Sequence, residues 1–172
     1  MDDTARLKRL AARIDALVEK DESVIRRSRE IAAQRRAAAA DLHRICASFV
    51  NSLNSLATKA QVSLDPSEFG PDAFLEDGPN LLQVNARGRI IQIEFHATDV
   101  LVSTEEFRIP YILQGEVRCF NQELLDRQSV EEQLLFYCLE KAGPLWRFFD
   151  ARTYRSGPFD ESFLVTVMEQ LV

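Results

Sequence analysis

An α+β fold is predicted: a long, coiled-coil-like N-terminal helix, an antiparallel sheet of about five to six strands, and a C-terminal helix. Three observations predict it. The first proline is Pro66 and the first glycine Gly70, so a segment rich in Ala, Arg and Leu precedes them with no helix breaker. Beyond residue 80, apolar residues alternate with polar ones at the period of a strand lying over a core. Finally, Asp160 and Glu161 open an apolar segment that reaches Leu171, with acidic groups where a helix N-terminus favours them. The expected organisation is a helical arm over 1–61, a joint with Pro and Gly over 62–80, and a sheet domain with its terminal helix over 81–172.

The arm carries a long-range pattern. With Leu7 as heptad position a, the a positions are Leu7, Ile14, Asp21, Ser28, Arg35, Leu42, Phe49 and Leu56. The d positions are Leu10, Leu17, Val24, Ile31, Ala38, Ile45 and Ser52. A seven-residue repeat keeps one seam toward a partner, and polar a residues weaken the seam while selecting register. One alternative is an amphipathic helix lying on its own domain. Another is a break at Lys20-Asp21-Glu22-Ser23, with Asp21 or Ser23 as an N-cap.

Size favours an overhanging arm. Some fifty helical residues span roughly 80 Å, whereas a globule of about 110 residues has a diameter of roughly 35 Å. Leu42, Ile45, Phe49, Val50, Leu53 and Leu56 are expected to pack on the body. Leu7, Leu10, Ile14, Leu17, Val24 and Ile31 are then left for a partner, and burying each contributes about 1.5–3 kcal/mol. A homo-oligomer, with a dimer favoured, or another protein is the partner this predicts.

In the second half, Leu82, Val84 and Ala86 mark one strand, and Arg87-Gly88 its turn. Ile91, Ile93 and Phe95 mark the next, alternating with Gln92, Glu94 and His96. Ala97-Thr98-Asp99 is expected to turn the chain before Val100-Leu101-Val102. Phe107–Phe120 should be extended, with Pro110 and Gly115 suggesting an edge or a bulge. A helical turn is expected over Asn121–Gln128, then strands at Leu134–Leu139 and Leu145–Asp150 joined through Lys141-Ala142-Gly143-Pro144. The strand at 134–139 competes with a helix, because Ser129-Val130-Glu131-Glu132 matches a capping box. Gly157-Pro158 is expected to start the final helix.

Candidate chemistry is sparse. His43 and Cys46 share a helix face three residues apart, but two ligands do not make a metal site. His96, Asp99 and Ser103 lack the glycine pattern of a nucleophile elbow, so turn chemistry accounts for them better. Cys119 and Cys138 fall on strands and are expected in the core. No phosphate-binding loop, dinucleotide fingerprint or paired-cysteine motif occurs, so neither an enzyme nor a cofactor is predicted. A ligand on the polar strand face of Gln92, Glu94 and His96 is a weaker possibility.

Charge divides the chain. Residues 1–61 hold 12 basic and 8 acidic side chains, net +4, and residues 62–172 hold 9 and 19, net −10. Arg26, Arg27, Arg29, Arg35 and Arg36 form the densest cluster and could bind nucleic acid or another anionic surface. Glu30 interrupts the run and no aromatic residue interleaves for stacking, so a solvated helix face outweighs that reading. The cluster could equally meet the acidic body of another subunit. At Arg152–Pro158 a loop leads toward a helix N-terminus, but Asp160 and Glu161 would repel an anion there.

No run approaches the roughly 18 apolar residues of a membrane span, and the N-terminus shows no apolar signal core. With three widely spaced cysteines, a reducing compartment and hence the cytoplasm are expected. The order helix, three-strand meander, short helix, two strands, final helix over residues 40–172 is similar to that of the small acidic chaperones of bacterial type III secretion. That resemblance implies a protein-binding role; the extended Phe107–Phe120 region and the long helix depart from it. The function predicted is therefore non-enzymatic protein interaction through the heptad helix.

Overall fold

A computed structural model describes residues 3–102 and 109–172, with the backbone alone for 100–102. Helix α1 runs unbroken from Asp3 to Leu56, 54 residues, so Lys20–Ser23 forms no hairpin. It ends earlier than the predicted residue 61. There the Asn54 side chain donates to the Val62 carbonyl at 2.8 Å and accepts from the Val62 N–H at 2.7 Å, fixing the chain reversal. The chain divides into two compact units, Met1–Gln34 and Arg35–Val172, so the second half of α1 belongs with the sheet.

The sheet has seven strands where five to six were expected. In chain order they are β1 (Ser63–Asp65), β2 (Asn80–Ala86), β3 (Arg89–Val102), β4 (Tyr111–Phe120), β5 (Glu131–Glu140), β6 (Gly143–Asp150) and β7 (Arg155–Pro158). Each pairs antiparallel with its sequence neighbour, in the order β1-β2-β3-β4-β5-β6-β7. Short helix α2 (Gln122–Asp126) joins β4 to β5, and α3 (Glu161–Glu169) closes the chain.

One sheet face carries Leu82, Val84, Ile91, Ile93, Phe95, Leu113, Val117, Leu135 and Trp146, the inward half of each alternation. Against it lie Ala38, Ala39, Leu42, Cys46, Phe49 and Val50 of α1, spaced three and four residues apart, and Phe163, Leu164, Val167 and Met168 of α3. Of the α1 residues expected on the body, Leu42, Phe49 and Val50 are buried and Ile45 and Leu53 partly so, while Leu56 is exposed. The indole N–H of Trp146 donates to the Ala38 carbonyl at 2.8 Å. Two alanines at this point let the helix backbone come that close.

The β2–β3 turn falls at Arg87-Gly88 as expected; both have positive φ, 53° and 87°, as a two-residue hairpin with a right-handed strand twist requires. Asn85 stabilises it, its Oδ1 accepting from the Gly88 N–H at 2.7 Å. Gly115 is needed for a different reason: a Cβ there would lie 2.0 Å from the Glu94 carbonyl oxygen on the neighbouring strand.

Three expectations are corrected. Ala97-Thr98-Asp99 does not turn the chain: β3 continues through it, with a register shift between Ala97 and Val102. Gly157-Pro158 ends β7 instead of starting a helix, and α3 begins after Asp160, whose Oδ1 accepts from the Phe163 N–H at 2.9 Å. The region predicted as one extended run at Phe107–Phe120 forms a strand only from Tyr111, with residues 107 and 108 outside the described residues. Residues 131–140 are strand, as the alternation of Leu134, Phe136 and Cys138 with Leu135, Tyr137 and Leu139 indicated.

Candidate interaction surface

Within the unit Met1–Gln34, the α1 surface holds an apolar stripe. Leu7, Leu10, Ile14, Leu17, Val18, Val24 and Ile25 are 50–64% exposed, and Ile31 is half-buried. Five of the six predicted interface residues are therefore open to solvent. Val18 and Ile25 were missed because attention to a and d positions passes over position e. At about 100° per residue, positions d, a and e fall within an arc of roughly 100°, so the stripe is wider than a two-position seam. Asp21 and Ser28 interrupt it at its centre.

The stripe has chemically different flanks. Position g, beside d, carries Arg6, Arg13, Lys20 and Arg27, all exposed. Position b, beyond e, carries Lys8, Asp15, Glu22 and Arg29, of mixed sign.

The arginine cluster does not form one patch. Arg26, Arg29 and Arg36 are exposed along one side of the helix, while Arg27 lies on the cationic flank almost opposite Arg29. Arg35 is only 9% exposed and is already occupied. Its Nε donates to the Ile112 carbonyl at 3.1 Å, Nη2 donates to the Thr98 carbonyl, and Nη1 pairs with Glu76 Oε1 at 2.5 Å. These carbonyls belong to the irregular stretch of β3 and β4, where the shifted register disrupts the regular ladder. The Thr98 hydroxyl also donates to Ile112 O at 3.1 Å. Arg35 thus supplies donors to a bulge and leaves the group predicted to contact anions.

The other reactive side chains are structural. His43 is buried, donates from Nε2 to the Pro66 carbonyl at 2.8 Å and stacks on Phe69. Cys46 lies in the core beneath it, where burial pushes its thiol up to about 12. Cys119 is likewise raised to about 12 by burial and by the Glu131 charge. Cys138, also near 12, is raised by burial and Glu140 against the opposing charge of Arg147.

On the sheet face away from the helices, Gln92, Glu94 and His96 do point outward. The Gln114 amide donates to His96 Nε2 at 3.0 Å, and Arg118 bridges Glu116 at 2.8 Å and Glu132 at 3.4 Å. Glu94, His96, Gln114, Glu116 and Arg118 border a shallow depression of about 410 Å³ that also includes Tyr111, Leu134 and Phe136. Its cation is spent on neighbouring carboxylates, and His96 has no nucleophile held against it among the described residues. Asp99 is exposed on β3, and Ser103 lies outside the described residues. Among the described residues no helix is long and apolar enough to cross a membrane. No protein family, curated protein or solved structure matches the chain.

Proposed function

We propose that this is a non-enzymatic interaction protein that associates through the apolar stripe of its N-terminal helix. The observation that carries the reading is the exposure of Leu7, Leu10, Ile14, Leu17, Val18, Val24 and Ile25 along one face of α1. Monomeric proteins seldom leave a contiguous aliphatic surface of this length in water, and scattered exposed leucines do not produce such an arc. Each side chain covered by a partner contributes a fraction of the roughly 1.5–3 kcal/mol of full burial, and several acting together suffice for stable association. The second compact unit supports the reading from another direction: His43 and Cys46 of α1 and Cys119 and Cys138 of the sheet are buried in packing, not presented at a surface.

The test is Leu10→Asp combined with Leu17→Asp. The wild-type chain is expected to sediment above its monomer mass of 19.6 kDa, and the variant at that mass, with its sheet circular-dichroism signal retained. A wild-type chain that sediments as a monomer and binds no helical partner overturns the proposal.

A further inference from the structure

Independently of the helical stripe, we infer that the second compact unit binds a free α-amino acid with an apolar side chain, in a groove between α3 and the β5, β6 and β7 corner of the sheet. The groove measures about 400 Å³ and opens on the helix-covered face. The pairing register builds it in rows. Leu135, Phe148 and Gly157 are opposite one another across β5, β6 and β7, and Asp150 is opposite Arg155 in the next row of that face. Gln133, two residues from Leu135, lies on the same face of β5, and Glu131 two residues further on.

Three groups lining this groove are left without partners. Gln133 Oε1 is buried and accepts no hydrogen bond among the described residues. Folded proteins rarely leave an acceptor in that state, because nothing returns the hydration it has lost. Glu131 and Arg155 enter no salt bridge among the described residues. Arg155 is opposite Asp150 in register, but that carboxylate is already engaged: it accepts from the Arg152 N–H at 2.9 Å and lies 3.6 Å from Arg152 Nε.

The unpartnered groups differ in sign across the groove. On β5, Gln133 calls for a donor, and Glu131 beside it favours one with positive charge; on β7, Arg155 calls for an anion. The two strands are two spacings apart, about 10 Å, and the long side chains narrow that gap from both ends. Next to this polar row the Phe148 ring lies over Gly157, where a Cβ would come within 3.0 Å of its Cε1, and stacks on Phe163 at 4.4 Å. Phe148 and Val167 supply the apolar part of the lining. An ammonium for Gln133 and Glu131, a carboxylate for Arg155 and an apolar side chain over Phe148 together describe an α-amino acid. The N-terminus of α3 takes no part, since Asp160 already caps it and repels a carboxylate there.

The test titrates the full chain by calorimetry with L-phenylalanine and L-leucine, beside phenethylamine, which lacks the carboxylate, and 3-phenylpropanoate, which lacks the ammonium. Saturable binding of at least one amino acid is expected, with both truncated analogues weaker by at least about tenfold. Gln133→Leu is expected to weaken binding at least about tenfold while the melting temperature of the free protein stays level or rises, because the unpartnered acceptor is gone. Arg155→Gln, at an exposed position, is expected to weaken amino-acid binding by a similar factor and to leave the response to phenethylamine unchanged. No saturation by either amino acid at about 10 mM overturns the inference. Phenethylamine binding as tightly as L-phenylalanine overturns the zwitterion, and binding that neither substitution alters overturns the location. None of these outcomes bears on the helical stripe, which sedimentation tests separately.

Discussion

The indole N–H of Trp146 donates to the main-chain carbonyl of Ala38 at 2.8 Å, joining the sixth strand to the middle of the long helix. Phe95 meets the same indole edge-on at a centroid distance of 5.5 Å, and Tyr137 tilts against it at 5.3 Å. The contact depends on alanine at positions 38 and 39, both buried. Enlarging either side chain has to push the helix away from the sheet. Ala39→Leu is expected to lower stability by about 1–3 kcal/mol through overpacking. Trp146→Phe should cost a similar amount, about 1–3 kcal/mol, through the lost hydrogen bond and the void left by the smaller ring. Urea unfolding followed by circular dichroism measures both; stability equal to wild type in the two variants contradicts this account of the contact.

Arg35 acts on the bulge with a fork of donors that no other residue type reproduces. Arg35→Met leaves the carbonyls of Thr98 and Ile112 short of a buried partner, at an expected cost of about 2–4 kcal/mol. Arg35→Lys should recover only part of this, because an ammonium cannot reach both carbonyls and Glu76 in the same planar geometry. Hydrogen exchange is expected to rise first around residues 97–99 and 111–113. Complete rescue by lysine would show that charge alone matters there.

The thiols make a prediction about reactivity. Cys46, Cys119 and Cys138 are all raised to about 12, mainly by burial, so at pH 8 each is overwhelmingly the protonated thiol. Disulfide-exchange reagents should modify none of the three in the native protein within minutes, and all three after denaturation. Rapid labelling of a native cysteine would show that the core around it opens.

Asp150 predicts an acid-side dependence. Burial alone pushes its carboxyl up, but the Arg152 N–H, the Thr153 hydroxyl and the Arg152 charge outweigh burial and hold it below its ordinary value of 3.8. A carboxyl depressed in the folded state stabilises the fold above its unfolded pKa, and that contribution is lost as pH falls through the folded one. Asp150→Asn is therefore expected to be less stable than wild type at pH 7. The gap should close below about pH 4. A gap independent of pH would assign the effect to packing instead.

Much of this fold was legible because its cause is local. Sixty-five residues without Pro or Gly specify α1, and strict alternation from Ile91 to His96 specifies the centre of β3. The features that escaped depend on distant partners or on very short elements. Arg35 looks like one member of a basic run, and its acceptors, Thr98 and Ile112, stand 63 and 77 positions away. Those same bonds stabilise the irregular stretch where a turn had been expected. β1 and β7, three and four residues long, are too short to show a period. Pro158 suits the first turn of a helix as well as the last position of an edge strand, and only pairing with Arg147 decides between them. At the candidate interface, the stripe itself was legible from the heptads, but its breadth was not, because Val18 and Ile25 lie at a position that a seam of a and d residues leaves out.

The two outermost strands are short, and each meets a proline. Ser63–Asp65 is followed at once by Pro66, and Arg155–Pro158 terminates in a residue with no N–H to offer. A foreign strand arriving at either rim finds a template of three or four residues ending at a ring that cannot extend the ladder. Short strands that stop at a proline disfavour edge-to-edge pairing at these two places.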